Sequence, residues 1–140
     1  MIAQGQCTIF QKNCLSALEN FAVGTPYTYK IALYTAAANI SPDTLAYTSD
    51  GEITGTGYTA TGKVLTVIPP TTSNNVAYVS FANVTWDPAS FTTAGALIYN
   101  STTGAAVAVL NFGSNKTASN TFTITFPANN SSDAIIRFTN

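Results

Sequence analysis

Histidine is missing from this 140-residue chain, and charge of either sign is scarce, with five Lys and Arg, six Asp and Glu, and 8% charged residues in all. Without an imidazole the chain has no Ser–His or Cys–His nucleophile pair, no usual general base near neutral pH, and none of the ordinary zinc or iron donor sets. The five cations, Lys12, Lys30, Lys63, Lys116 and Arg137, form no run or cluster. Nucleic-acid binding needs several cations to neutralise phosphates, so no nucleic-acid partner is expected. The acids Glu19, Asp43, Asp50, Glu52, Asp87 and Asp133 are equally scattered. Asp50-Gly51-Glu52 is the only local carboxylate pair; it supplies too few oxygens for a hard cation and reads as a solvated turn. Two distant acids could serve glycoside hydrolysis, but no motif brings a pair together. Gly55-Thr56-Gly57 lacks the GxxxxGK[ST] pattern of a phosphate loop. No catalytic, cofactor-binding or metal-ligating residue is assigned, and no enzyme activity is expected.

Long apolar runs are absent too, which gives no transmembrane helix and no expected membrane partner. Met1–Gly5 carries no basic stretch of the kind that opens a signal peptide, so the expected location is a cytoplasm or a particle assembled there. Cys7 and Cys14, seven residues apart on one helix, would lie roughly 10 Å apart, too far for a disulfide, and read as free thiols acting as small hydrophobes.

What fills the chain instead is Thr, Asn and Ser, roughly a third of all residues, where an average domain spends Lys and Glu. With 11% aromatics, this composition favours strands over helices. Phe91–Gly113 organises the rest: strands Gly95–Asn100 and Ala105–Phe112 joined by the turn Ser101-Thr102-Thr103-Gly104. Ala106, Ala108, Leu110 and Phe112 share one face and Val107 and Val109 the other. Both faces are apolar, which places this hairpin centrally in a sheet covered on both sides. Tyr27–Thr35 alternates as a further strand, Lys63–Ile68, Val76–Phe81, Thr121–Phe126 and Ala134–Phe138 follow, and Leu45–Ser49 suits a short edge strand. Pro69–Asn75 and Gly113–Asn120 read as polar loops. Residues 7–21 are the one helical pattern, with Cys7, Phe10, Cys14, Ala17, Leu18 and Phe21 on a single stripe and Gly24-Thr25-Pro26 as the stop. The sum is a single all-β domain spanning 1–140, a jelly roll or β-sandwich of about eight strands with one short N-terminal helix.

So little charge gives little repulsion between copies, and much of the surface is expected to be covered by neighbouring subunits. The large apolar groups Phe10, Tyr58, Trp86 and Phe91 are the candidate interface anchors, with the protein core as the competing place for Trp86 and Phe91.

Three segments, KIALYTAAA at Lys30–Ala38, AYTSDGEITGTGYTATGKVLT at Ala46–Thr66 and FTTAGALIYNSTTGAAVAVLNFG at Phe91–Gly113, together resemble small virion proteins of tailed bacteriophages. The resemblance covers most of the chain after Tyr29 and is one of pattern, not of a catalytic signature. It implies a head decoration or cement protein: a homo-oligomer on the capsid exterior, bridging copies of the major capsid protein and stabilising the expanded head by binding only the assembled shell. A neck, tail or fibre-associated subunit, or a carbohydrate- or receptor-binding β module using exposed aromatics such as Tyr47, Tyr58 and Trp86, is the alternative.

Overall fold

The computed structural model describes residues 1–139. Around the Phe91–Gly113 stretch it builds an antiparallel hairpin, β7 (Phe91–Asn100) and β8 (Ala106–Ala118), both longer than the pattern predicts. Nine of the ten β7 residues are buried, as two apolar faces require. The turn is held by Asn100, whose Oδ1 accepts the backbone N–H groups of Thr102 at 3.0 Å and Thr103 at 3.3 Å, so the connection is an Asx-type turn. On one side of the hairpin lie β2 (Tyr29–Tyr34) and β3 (Lys63–Val64), on the other β1 (Gly5–Gln6), giving a five-stranded antiparallel sheet ordered β1-β8-β7-β2-β3.

A second sheet, β4 (Val67–Ser73), β5 (Val76–Phe81) and β10 (Ile136–Thr139), has the order β10-β5-β4, and β6 (Val84–Trp86) pairs with β9 (Phe122–Ile124). Phe21 joins the two larger sheets, its ring 4.4 Å from Tyr29 of β2 and 6.1 Å from Phe81 of β5. The opposite face of the first sheet is closed by the segment 36–61, which buries Ala38, Ile40 and Ile53 and stacks Tyr47 on Tyr99 at 5.0 Å. The buried side chains form one continuous cluster in a sandwich-like, all-β fold.

Five local expectations are corrected. The helix α1 covers Thr8–Leu15 only. Ala17 takes φ 57°, and the N–H groups of Ala17 and Leu18 return to the carbonyls of Cys14 and Asn13, the Schellman stop that glycine usually supplies. The apolar stripe therefore breaks: Leu18 is exposed, while Phe21 reaches the core from the following loop. Pro69-Pro70 does not unravel the chain, because the β4–β5 register shifts between Ile68 and Thr71 and passes over both prolines on an edge strand. Asn74 and Asn75, both at positive φ, then make the two-residue turn into β5. Lys63–Ile68 is two strands, since Leu65 donates to Tyr29 in one sheet while the chain crosses at Thr66 into the other. Gly113–Asn120 is largely strand: Thr92 and Thr117 pair across β7 and β8 with hydroxyls 2.9 Å apart. Leu45–Ser49 makes only a bridge, Ala46 to Ala105.

Candidate functional site

Three of the four interface candidates come together, and inside the chain. Tyr58, Trp86 and Phe91 lie with ring centroids 6.0–6.4 Å apart, and Phe122 adds contacts of 5.5 Å to Phe91 and 5.9 Å to Trp86. Edge-to-face geometry dominates, the arrangement that the ring quadrupoles favour. Trp86 and Phe91 are buried and Tyr58 is half-buried; Lys63 lies over the Trp86 ring with its Nζ 5.9 Å from the centroid. Phe10 sits apart, fully buried between Phe21 and Phe138. Phe10, Trp86 and Phe91 belong to the buried core of this chain, and Tyr58 packs against it.

Beside the aromatic cluster is a polar centre that sequence patterning does not reveal. Glu52, read above as part of a solvated turn, is half-buried, and its carboxylate accepts three hydrogen bonds. Tyr47 Oη donates to Oε2 at 2.5 Å, and Tyr58 Oη and the Thr61 N–H donate to Oε1 at 2.6 and 2.8 Å. The Tyr58 oxygen in turn accepts the Leu33 N–H at 3.0 Å, Lys30 Nζ donates to Thr61 Oγ1 at 2.8 Å, and Tyr99 Oη donates to the Thr61 carbonyl at 2.5 Å. The chain reaches this geometry through Gly57 and Gly62, both at positive φ; a Cβ on Gly62 would run into the Ile31 carbonyl and one on Gly57 into that of Pro88. Burial pushes the Tyr47 and Tyr58 phenols well above their ordinary range, and donation to Glu52 pushes them further, so both remain protonated donors. The only sequence hint was a carboxylate flanked by two tyrosines and a Gly-punctuated turn.

A second carboxylate lies across the sheet, near the end of the N-terminal segment. Glu19 Oε2 accepts the Tyr29 hydroxyl at 2.7 Å and Asn100 Nδ2 at 3.2 Å. Its other oxygen, Oε1, is buried and accepts from no protein group among the described residues. Glu19 borders a cavity of about 150 Å³ between α1 with its following loop and the β10-β5-β4 sheet, with Phe10, Phe21, Ala77, Ile136 and Phe138 among its walls. Cys14 borders it too; burial, with Glu19 nearby, pushes its thiol up to about 11, which leaves it a neutral group and not a nucleophile. Cys7 is fully buried and pushed to about 11 by burial alone.

Apolar side chains that face water include Phe138 at the cavity and, along the N-terminal segment, Leu15, 91% exposed, Leu18 and Val23. Among the described residues no three His, Cys, Asp or Glu side chains gather as a metal-binding group, and no helix is long and apolar enough to cross a membrane. Compared with known proteins, the chain matches no family model, no curated protein and no solved structure.

Proposed function

We propose that this protein is an adhesive structural subunit of a bacteriophage particle, a decoration or cement protein that binds the outside of the capsid lattice. The observation that carries the reading is the combination of a chain with very little charge and several exposed apolar side chains, among them Leu15, Leu18, Val23 and Phe138, on a β scaffold. Exposed apolar side chains and little repulsion between copies suit a subunit that is covered by neighbours. The three segments that resemble small virion proteins supply the link to a phage head. Binding only the assembled, expanded shell would stabilise it by mass action, with no chemistry required of the subunit. Trp86 is buried and Tyr47 and Tyr58 point their hydroxyls at Glu52, so these three residues lend the glycan-binding alternative no support.

Co-sedimentation with decoration-free heads tests the proposal. Saturable binding to expanded heads, absent with unexpanded heads and isolated tails, and with a copy number tracking the major capsid protein, is the expected result. Binding to tails alone would move the protein to the neck or tail, and binding to none of the three would overturn the reading.

A further inference from the structure

We propose that the outer edge of β10 is the surface through which two copies of this chain join, strand to strand about a twofold axis, so that two three-stranded sheets become one of six strands. The inference goes beyond the capsid reading and does not rest on it.

Edge strands expose unpaired N–H and C=O groups, and soluble domains blunt them with short strands, lysine, proline, bulges or a covering segment. Among the described residues the other edges carry such devices. β1 and β3 are two residues each. Beside β1, the outer side of β8 is bonded by Cys7 N–H on the Val107 carbonyl and by Asn111 N–H on Gln4 Oε1, and its register then jumps from Asn111 to Lys116. β4 has Pro69-Pro70 and its bulge. β6 and β9 are three residues each, with Lys63 Nζ on the Thr85 carbonyl and Lys116 across a surface hollow from Phe122 and Ile124.

β10 carries none of these. Ile136–Thr139 holds no Pro, Gly or Lys, its register with β5 runs unbroken from Ile136 opposite Val79 to Thr139 opposite Val76, and its outer side pairs with no strand among the described residues. Alternate residues of such a strand turn their backbone groups outward, and none of the described backbone hydrogen bonds reaches those of β10 from outside β5. Arg137, Phe138 and Thr139 are all exposed.

A second copy fits this edge because β10 is complementary to itself. A twofold axis normal to the sheet keeps each face on its own side, so residues opposite each other must have the same parity. Two such registers overlap three residues of β10. One sets Arg137 against the partner's Arg137, and like charges directly opposite oppose pairing. The other sets Phe138 against the partner's Phe138 and Arg137 against the partner's Thr139, an aromatic pair flanked by pairs without like charge. This second register also covers Phe138, 44% exposed in the single chain. A net charge of −1 leaves little repulsion between copies. The contact is small, so the dimer is expected to be weak and reversible.

The test is sedimentation equilibrium of the purified protein from about 10 μM to about 1 mM, with hydrogen exchange of the β10 amides at both ends of that range. Expected are a reversible monomer–dimer equilibrium and slower exchange in Ile136–Thr139 at the higher concentration. Thr139→Glu brings two opposite-charge pairs with Arg137 across the axis and should tighten the dimer about threefold or more at low salt. Thr139→Arg sets two like-charge pairs there and should loosen it by a similar factor. A protein that stays monomeric overturns the inference and leaves the edge to a strand of a different protein. A dimer indifferent to the charge at position 139 overturns it too, since the copies then meet elsewhere. If either variant does not fold, the concentration dependence of β10 exchange in the native chain decides alone. Head binding by a strictly monomeric protein sinks this inference and spares the capsid reading; a β10 dimer that binds no head does the reverse.

Discussion

Glu52 and Glu19 are the same chemical group in two settings, each a carboxylate receiving tyrosine hydroxyls beside the central sheet. Glu52 has both oxygens engaged, by Tyr47, Tyr58 and the Thr61 N–H, whereas Glu19 concentrates Tyr29 and Asn100 on one oxygen. The first centre pins a long, irregular segment onto the sheet. At the second, Oε1 is buried without a donor among the described residues. Residue type alone would rank the two equally, and only the fold ties one on both oxygens and the other on one.

The sharpest way to break this contrast is to delete each carboxylate. Glu52→Ala strands two phenols and a backbone N–H and should cost about 3 kcal/mol in denaturant unfolding, since each lost bond to a charged group is worth about 1.5–3 kcal/mol and relaxation recovers part. Glu19→Ala strands two donors but removes an oxygen that was already unpaired, so its cost should be smaller, about 1–2 kcal/mol. Equal costs would erase the distinction drawn between the centres.

Alkali tests both centres together. Burial, then donation to a carboxylate, raises the phenols of Tyr29, Tyr47 and Tyr58, and burial raises Tyr34 and Tyr99. In the unfolded chain these groups ionise near pH 10. Above that pH the unfolded state binds fewer protons than the native state, so the stability they contribute is intact below pH 10 and falls as pH rises further. Tyrosinate absorbance should then appear in one cooperative step with the loss of β-sheet signal; a gradual titration without unfolding would refute the burial of these hydroxyls. The smallest expected effect is a gain. Ala17 holds a left-handed conformation that costs an L-residue about 1–2 kcal/mol, so Ala17→Gly should stabilise the protein by about 1 kcal/mol, read as a rise in melting temperature. It would do so without touching Glu19, two residues on.

The central hairpin was legible because its two apolar faces admit only a covered strand pair. All-β character was legible from Thr and aromatic content. The helix end was not, because alanine stands where glycine would have announced the turn. β4 was hidden by Pro69-Pro70, whose tolerance depends on a bulge and a free edge that only tertiary structure creates. The far half of β8 is mostly exposed and polar, so it carries no hydrophobic alternation, and its pairing is set by its partner β7. Trp86 and Phe91 could be read as core or as interface, since bulk apolar character does not say which surface covers it. Glu52 was misjudged for a related reason: its donors at positions 47, 58 and 61 converge only once the Gly57 and Gly62 turns are formed.

The pairing of β5 with β10 also sets an order of events. Val76 meets Thr139 and Val79 meets Ile136, contacts between residues 57 to 63 positions apart, whereas β7 and β8 are joined by a short turn. Loop-closure entropy makes the hairpin the early product of folding and β10 a late arrival. Ile136 and Phe138, which wall the Glu19 cavity, arrive with it. A chain caught before that step would hold its central sheet and its Glu52 joint yet lack this cavity, so the last hollow of the molecule to take shape would be the one beside Glu19.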